Sequence, residues 1–116
     1  MNSIPPTVTA VTDALRRNTL SIMGDKLRKI ILYGSYARGD YKDYSDLDIM
    51  VLADVSEEEK REFQYKFYAM TSDIGLEHDI IMSMSLNNES LFMSRLSISL
   101  YYRNVMFEGV ELYAAQ

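Results

Sequence analysis

The chemistry of this chain is concentrated in Tyr33-Gly34-Ser35-Tyr36-Ala37-Arg38-Gly39-Asp40 and in Ser45-Asp46-Leu47-Asp48-Ile49-Met50-Val51. A Gly-Ser turn stands just behind a short apolar run. Ten residues further on, two aspartates one residue apart open a second apolar run. Glycine lets the backbone turn without steric cost and approach a ligand closely. Successive backbone N–H groups in such a turn form an anion-binding nest. The Ser35 hydroxyl adds a donor, and Arg38 adds a fixed charge suited to phosphate. In a strand, residues two apart share a face, so Asp46 and Asp48 point one way and Leu47, Ile49 and Val51 the other. Two carboxylates so placed repel each other unless a cation sits between them, and Mg²⁺ takes oxygen ligands of this kind. A third acid, Asp79, lies in the strand-like run Leu76-Glu77-His78-Asp79-Ile80-Ile81-Met82. Beside the Asp46–Leu52 strand it would complete three carboxylates, enough to hold two metal ions about 3.5–4 Å apart, with Asp79 also available as general base. Each feature alone has a plainer reading: an ordinary turn, a solvated strand end, a strand-edge charge. Together they supply a phosphate cradle and a carboxylate pair from neighbouring elements.

Several elements must position these residues. Pro5-Pro6 starts a helix, with Val8, Val11, Leu15, Leu20 and Met23 as its apolar stripe and Gly24 as its stop. Lys26 to Lys29 reads as a basic connector. Lys29 to Tyr33 and Leu47 to Leu52 read as buried strands, and the turn-rich Gly34–Ser45 segment has room for one helical turn at Tyr36–Arg38. Ser56-Glu57-Glu58-Glu59 is a capping box. It opens a helix to about Asp73, with Phe63, Phe67 and Met70 on one face, and Gly75 is its expected stop. Glu77 to Met84 is a third strand candidate. Asn87-Asn88-Glu89 starts one or two helical segments over Leu91–Met106, and Val110 to Tyr113 is a short strand or a tail. The order α-β-β-α-β-α predicts an α/β (α+β) fold. The dozen residues between the first two strands favour an antiparallel pair over a crossover. The third strand adds beside that pair, giving a small mixed sheet flanked by helices.

The chain has 116 residues, consistent with one domain over residues 1–116. Its 47% apolar and 25% charged content is that of a folded globular protein. With no cysteine, disulfides and thiolate metal sites are excluded. The opening residues lack the basic and apolar regions of a signal peptide, and no stretch approaches the roughly 20 apolar residues of a membrane helix. A cytoplasmic protein with no membrane partner is therefore expected. The net charge of −5 speaks against a general nucleic-acid binder, but not against a nucleotide substrate held through metal ions. The single histidine, His78, should point away from Asp79 by strand alternation and serve packing or the surface. Tyr101 and Tyr102 read as exposed or interface residues.

The spacing Gly34-Ser35, ten residues, Asp46-Leu47-Asp48 resembles the signature of the DNA polymerase beta-like nucleotidyltransferase superfamily. Ala37-Arg38-Gly39-Asp40, Ser45 and the ending Tyr102-Arg103-Asn104-Val105 through Glu108-Gly109-Val110 resemble its small prokaryotic branch, the minimal nucleotidyltransferases (MNT). The likeness spans roughly Lys29 to Tyr113, and Asp79 matches the third acidic position of that family. The resemblance implies Mg²⁺ ions bound by Asp46, Asp48 and Asp79, and ATP held by Gly34 and Ser35 with Arg38 beside its phosphates. It also implies a partner, because members often pair with a helical HEPN-type ribonuclease toxin. The MNT protein then acts as antitoxin by transferring AMP from ATP to a tyrosine hydroxyl of the toxin. Two other roles stay open: neutralisation of the toxin by complex formation alone, and modification of a small hydroxylated molecule by a subunit whose helical partner completes the pocket. A homo- or hetero-oligomer suits either. A small antibiotic substrate is not expected, since no C-terminal substrate domain is seen in the sequence.

Overall fold

A computed structural model of the chain describes residues 4–116; Met1–Ser3 lie outside the described residues. The elements are α1 (Pro6–Met23), a 3₁₀ turn (Gly24–Lys26), β1 (Leu27–Tyr33), α2 (Ser35–Arg38), β2 (Leu47–Ala53), α3 (Glu57–His78), β3 (Met82–Asn88), α4 (Glu89–Ser94), α5 (Leu100–Glu108) and β4 (Val110–Ala114). The strands form one mixed sheet in the order β3-β2-β1-β4. β1 runs antiparallel to both β2 and β4, as the short β1–β2 connection requires. β3 lies parallel to β2, reached by the α3 crossover. The register sets Asp48 between Tyr33 on β1 and Ser83 on β3.

Alternation along the strands splits the core into two layers. Ile30, Leu32, Leu47, Ile49, Val51 and Leu86 pack against α1 and α3, whose buried residues include Val11, Leu15, Phe67, Met70 and Ile74. Ile31, Met50 and Leu52 face the other way and pack against Phe92 of α4 and Val105 of α5. Asp48 belongs to this second face. Short polar caps start the helices there. The Asn88 side chain accepts from the Leu91 N–H at 3.0 Å and donates to the Val55 carbonyl at 2.9 Å. The Ser99 hydroxyl accepts from the Tyr102 N–H at 3.1 Å.

Several expectations need correction. The basic connector is already strand: β1 begins at Leu27, which is fully buried, while Arg28 and Lys29 pair with Glu89 and Glu111 at the surface. In α1 the inward stripe runs Val8, Val11, Thr12, Leu15, Thr19, Met23, and Leu20 falls on the exposed side. Thr19 can be buried because its hydroxyl reaches Met70 Sδ at 3.8 Å. The largest difference concerns Asp79. α3 does not stop at Gly75 but runs to His78, and β3 starts only at Met82. Asp79 is the residue that ends the helix, in the left-handed region at φ 53°, which Asp tolerates better than most side chains. The Ile80 N–H then returns to the Gly75 carbonyl at 3.0 Å, turning the chain towards the sheet. Asp79 therefore lies ahead of the strand that was expected to carry it.

Two tight junctions fix the elements around Asp48. At the end of β1, Gly34 has φ 76°, and a methyl group there would overlap Asp48 Oδ2, with Asp48 Cγ and Cβ 3.2 and 3.3 Å away. At the end of α5, a methyl on Gly109 would overlap the Val105 carbonyl and Ile31 Cγ2, so the helix terminus lies directly on β1. Gly34→Ala combines a disfavoured φ with a steric overlap. It is expected to cost about 1–3 kcal/mol in urea unfolding; an unchanged midpoint would contradict this packing.

The capping box of α3 is closed in both directions: the Glu59 N–H donates to Ser56 Oγ at 3.1 Å and the Ser56 N–H to Glu59 Oε1 at 3.0 Å. Lys26 Nζ also lies 2.8 Å from Glu59 Oε2. The Lys26 hydrogen bond, followed by that from the Ser56 backbone, holds the Glu59 carboxyl below its usual range. A carboxyl with a depressed folded-state pKa stabilises fully above the ordinary glutamate value and loses that contribution as pH falls through the depressed one. Glu59→Gln should therefore lower the melting temperature near neutrality and flatten its acid-side decline, read from thermal unfolding between pH 3 and pH 7. An undiminished decline would assign the acid sensitivity elsewhere.

Candidate active site

The second face of the sheet opens into a cleft of about 350 Å³ where β1 ends. Its floor is Gly34, Ser35 and Asp48, and its far wall is the face of α5 carrying Tyr101, Asn104 and Glu108. The local sequence explains this placement. Gly34 is the turn that lets β1 break directly into α2, and the Ala37 and Arg38 N–H groups return to its carbonyl at 3.1 and 3.0 Å. The loop leading to Asp46 is held from both ends. Tyr41 stacks on the buried Tyr36 with ring centroids 4.5 Å apart. The Lys42 N–H donates to Ser45 Oγ at 2.8 Å, and the Ser45 N–H returns to the Lys42 carbonyl at 3.0 Å. The chain then enters β2, where the Leu47 N–H is fixed to the Ile81 carbonyl at 2.9 Å.

The electrostatics follow from this packing. Burial pushes the Asp48 carboxyl above its usual range, the charge of Asp46 pushes it further, and Arg38 pulls it back. All three groups therefore share one local field. The Tyr33 phenol is raised first by burial and then by its hydrogen bond to Tyr101, so it stays protonated in the cleft. The two hydroxyl oxygens are 2.7 Å apart. Arg38 is gripped on two sides, with Nε 3.2 Å from Asp40 Oδ2 and Nη1 3.4 Å from Glu108 Oε2.

Gly34, Ser35, Arg38 and Asp48 line this one cleft, and Asp46 is not among its lining residues. Asp46 precedes β2 by one residue and opens towards a second, larger cavity of about 840 Å³ between α1, α3 and the Asp43–Asp46 segment. Asp79 and His78 line that larger cavity and not the cleft of Asp48. The expected trio of carboxylates is not assembled: among the described residues no group of three or more His, Asp or Glu side chains is arranged to hold a metal. The position beside Asp48 on β3 is Ser83, with Ser85 next on the same face. The remaining pair still fits a hard cation. Mg²⁺ commonly takes one or two protein carboxylates and completes its octahedron with water and substrate phosphate oxygens. The mutual repulsion of Asp46 and Asp48 is what such an ion relieves.

Sequence reading missed the α5 wall. Tyr101, Asn104 and Glu108 are spaced i, i+3, i+7, which puts them on one helical face. That signal was present, but nothing in it says which face meets the sheet until Gly109 docks the helix on β1.

Comparison with known proteins bears on this geometry. A family model for the nucleotidyltransferase domain matches residues 16–111. A protein of Methanocaldococcus jannaschii named as a protein adenylyltransferase is 38% identical over 88 residues, covering 76% of this chain and 80% of that one. Two solved structures share the fold. One, of a toxin–antitoxin pair with AMP-PNP, has a TM-score of 0.53 at 19% identity, covering 90% of this chain and 74% of that one. The other, of a tri-AMPylated Shewanella oneidensis HEPN toxin with its MNT antitoxin, has a TM-score of 0.51 at 18% identity, covering 93% and 73%. With the Gly-Ser turn packed against Asp48 and a family match over most of its length, the chain belongs to the nucleotidyltransferase family and is an enzyme of that class.

Proposed function

We propose that this nucleotidyltransferase transfers AMP from ATP, with Mg²⁺, to a hydroxyl of a HEPN-type toxin, a tyrosine hydroxyl in the first instance, and so acts as the antitoxin of the pair. The observation that carries the reading is the contact between Gly34 and Asp48. It supports the reading because a triphosphate held in that turn would meet the Asp48 carboxylate. The named adenylyltransferase relative and the AMPylated toxin complex among the solved structures support the choice of adenylyl group and acceptor.

In this reading the backbone N–H groups of the Gly34 turn and the Ser35 hydroxyl hold phosphate oxygens, and Arg38 adds its charge from the side. Asp46 and Asp48 are the residues that would hold the metal, which when bound neutralises charge developing on the phosphoryl oxygens. The acceptor oxygen bonds to the α-phosphorus of ATP as the bond to the bridging oxygen of pyrophosphate breaks, and the hydroxyl proton passes to solvent water. The work of the protein is to align the two reactants, which is where most of the rate gain in such transfers lies. The two cavities divide the labour. The polar 350 Å³ cleft suits the nucleotide. The larger one, walled partly by Tyr44, Tyr68, Leu76 and Ile81, suits an incoming protein segment bearing the hydroxyl.

Incubation with ATP, Mg²⁺ and a HEPN-type toxin, followed by intact mass of both proteins, tests the reading. One or more AMP units on the partner are expected. Asp46→Asn combined with Asp48→Asn removes ligand charge without removing volume and should lower transfer by more than about 100-fold, beyond the cost of a merely supporting group. Asp79→Asn should lower transfer far less than the double variant does, because Asn accepts the left-handed cap and Asp79, unlike Asp48, does not line the smaller cleft. A double aspartate variant as active as wild type would remove the metal assignment. An Asp79→Asn variant as inactive as the double mutant would restore Asp79 to the site.

A further inference from the structure

Glu108 brings a negative charge into the cleft assigned above to an anionic triphosphate, which at first sight opposes binding. Its contacts explain the presence of that charge. Arg38 is a flexible side chain on a single helical turn, and its guanidinium is held between Asp40 on its own loop and Glu108 on α5. Glu108 is itself fixed in place: it is the last residue of α5, followed by Gly109, whose bare backbone lies on Ile31 of β1. The same helix makes a second bridge over the cleft at its other end, through the hydroxyls of Tyr101 and Tyr33. The guanidinium so held lines the same cleft as Asp48.

We infer that Glu108 is a positioning residue, anchoring the Arg38 guanidinium at the phosphate end of the cleft before nucleotide arrives. The inference rests on the reading of this cleft as the nucleotide site. Holding a long side chain in its bound rotamer removes an ordering cost otherwise met on binding. The ion pair itself is half-exposed on both sides, and such pairs add little to folding stability. Glu108 should therefore matter to nucleotide affinity and hardly to the melting temperature.

The charge of Glu108 makes the test sharp, because two explanations predict opposite signs. If Glu108 is only a nearby carboxylate, Glu108→Gln removes repulsion and tightens binding of a triphosphate. If it anchors Arg38, the same change weakens binding. Calorimetric titration of a non-hydrolysable ATP analogue with Mg²⁺ into the full chain reads the difference. Glu108→Gln is expected to raise Kd about three- to tenfold, with Glu108→Asp recovering part of the loss and both variants melting as wild type does. In an Arg38→Ala background, Glu108→Gln should cause no further weakening. Unchanged or tighter binding by Glu108→Gln overturns the inference, as does an equal weakening with Arg38 already removed. Failure of the wild-type chain to bind the analogue would instead overturn the nucleotide reading of the cleft.

Discussion

The contact between the Asp48 carboxylate and the bare backbone of Gly34 is the constraint on which the rest of the site depends. It requires a glycine, because the turn has positive φ and the carboxylate fills the place of a side chain. It also requires β1 and β2 to be adjacent in the observed register, with Tyr33 opposite Asp48. That register in turn rests on two-sided burial: Ile30 and Leu32 face α1 and α3, while Ile31 faces α4 and α5. A slip of one residue would exchange the two faces and turn the carboxylate into the α1–α3 core. The hydrophobic layers thus hold a charged group at a strand end where it would otherwise be unfavourable.

Electrostatics give the site its direction. The charged form of Asp48 is disfavoured first by burial and then by the neighbouring charge of Asp46. A net charge of −5 adds a background hostile to triphosphate. Against this, Arg38 is the cation among the described lining residues of the smaller cleft, and the peptide N–H groups of the Gly34 turn supply the rest of the positive potential. An arrangement this unbalanced is not made for stability. The proposed metal-bound nucleotide would relieve that imbalance.

Much of the fold was legible in the sequence because its signals were local. The Ser56–Glu59 box, the Pro5-Pro6 helix start and the two apolar runs on either side of the Gly-Ser turn each act within a few residues, and each appears where expected. The misjudged elements were decided by distant contacts. β1 extends back to Leu27 because that side chain is buried by the core, although its neighbours are basic. Gly75 does not end α3, since helix termination depends on how Asp79 and Ile80 fold back. Asp79 accordingly sits at a helix cap and not in a strand, lining the larger cavity. In the candidate site, the adjacency of Gly34 and Asp48 follows from the two apolar runs that flank the turn and pair as β1 and β2. The α5 wall does not follow in that way, because Tyr101, Asn104 and Glu108 acquire meaning only once the helix is laid across β1.

The central claim is that Asp46 and Asp48 hold a cation against a triphosphate seated in the Gly34–Ser35 turn. A crystal structure of the protein with a non-hydrolysable ATP analogue and Mn²⁺ tests it most directly, since anomalous scattering locates the ion without ambiguity. The account predicts Mn²⁺ shared between the Asp46 and Asp48 carboxylates and the phosphates, with Ser35 and Arg38 in contact with phosphate oxygens. Nucleotide bound in the larger cavity between α1 and α3, or Mn²⁺ coordinated away from Asp48, would contradict it.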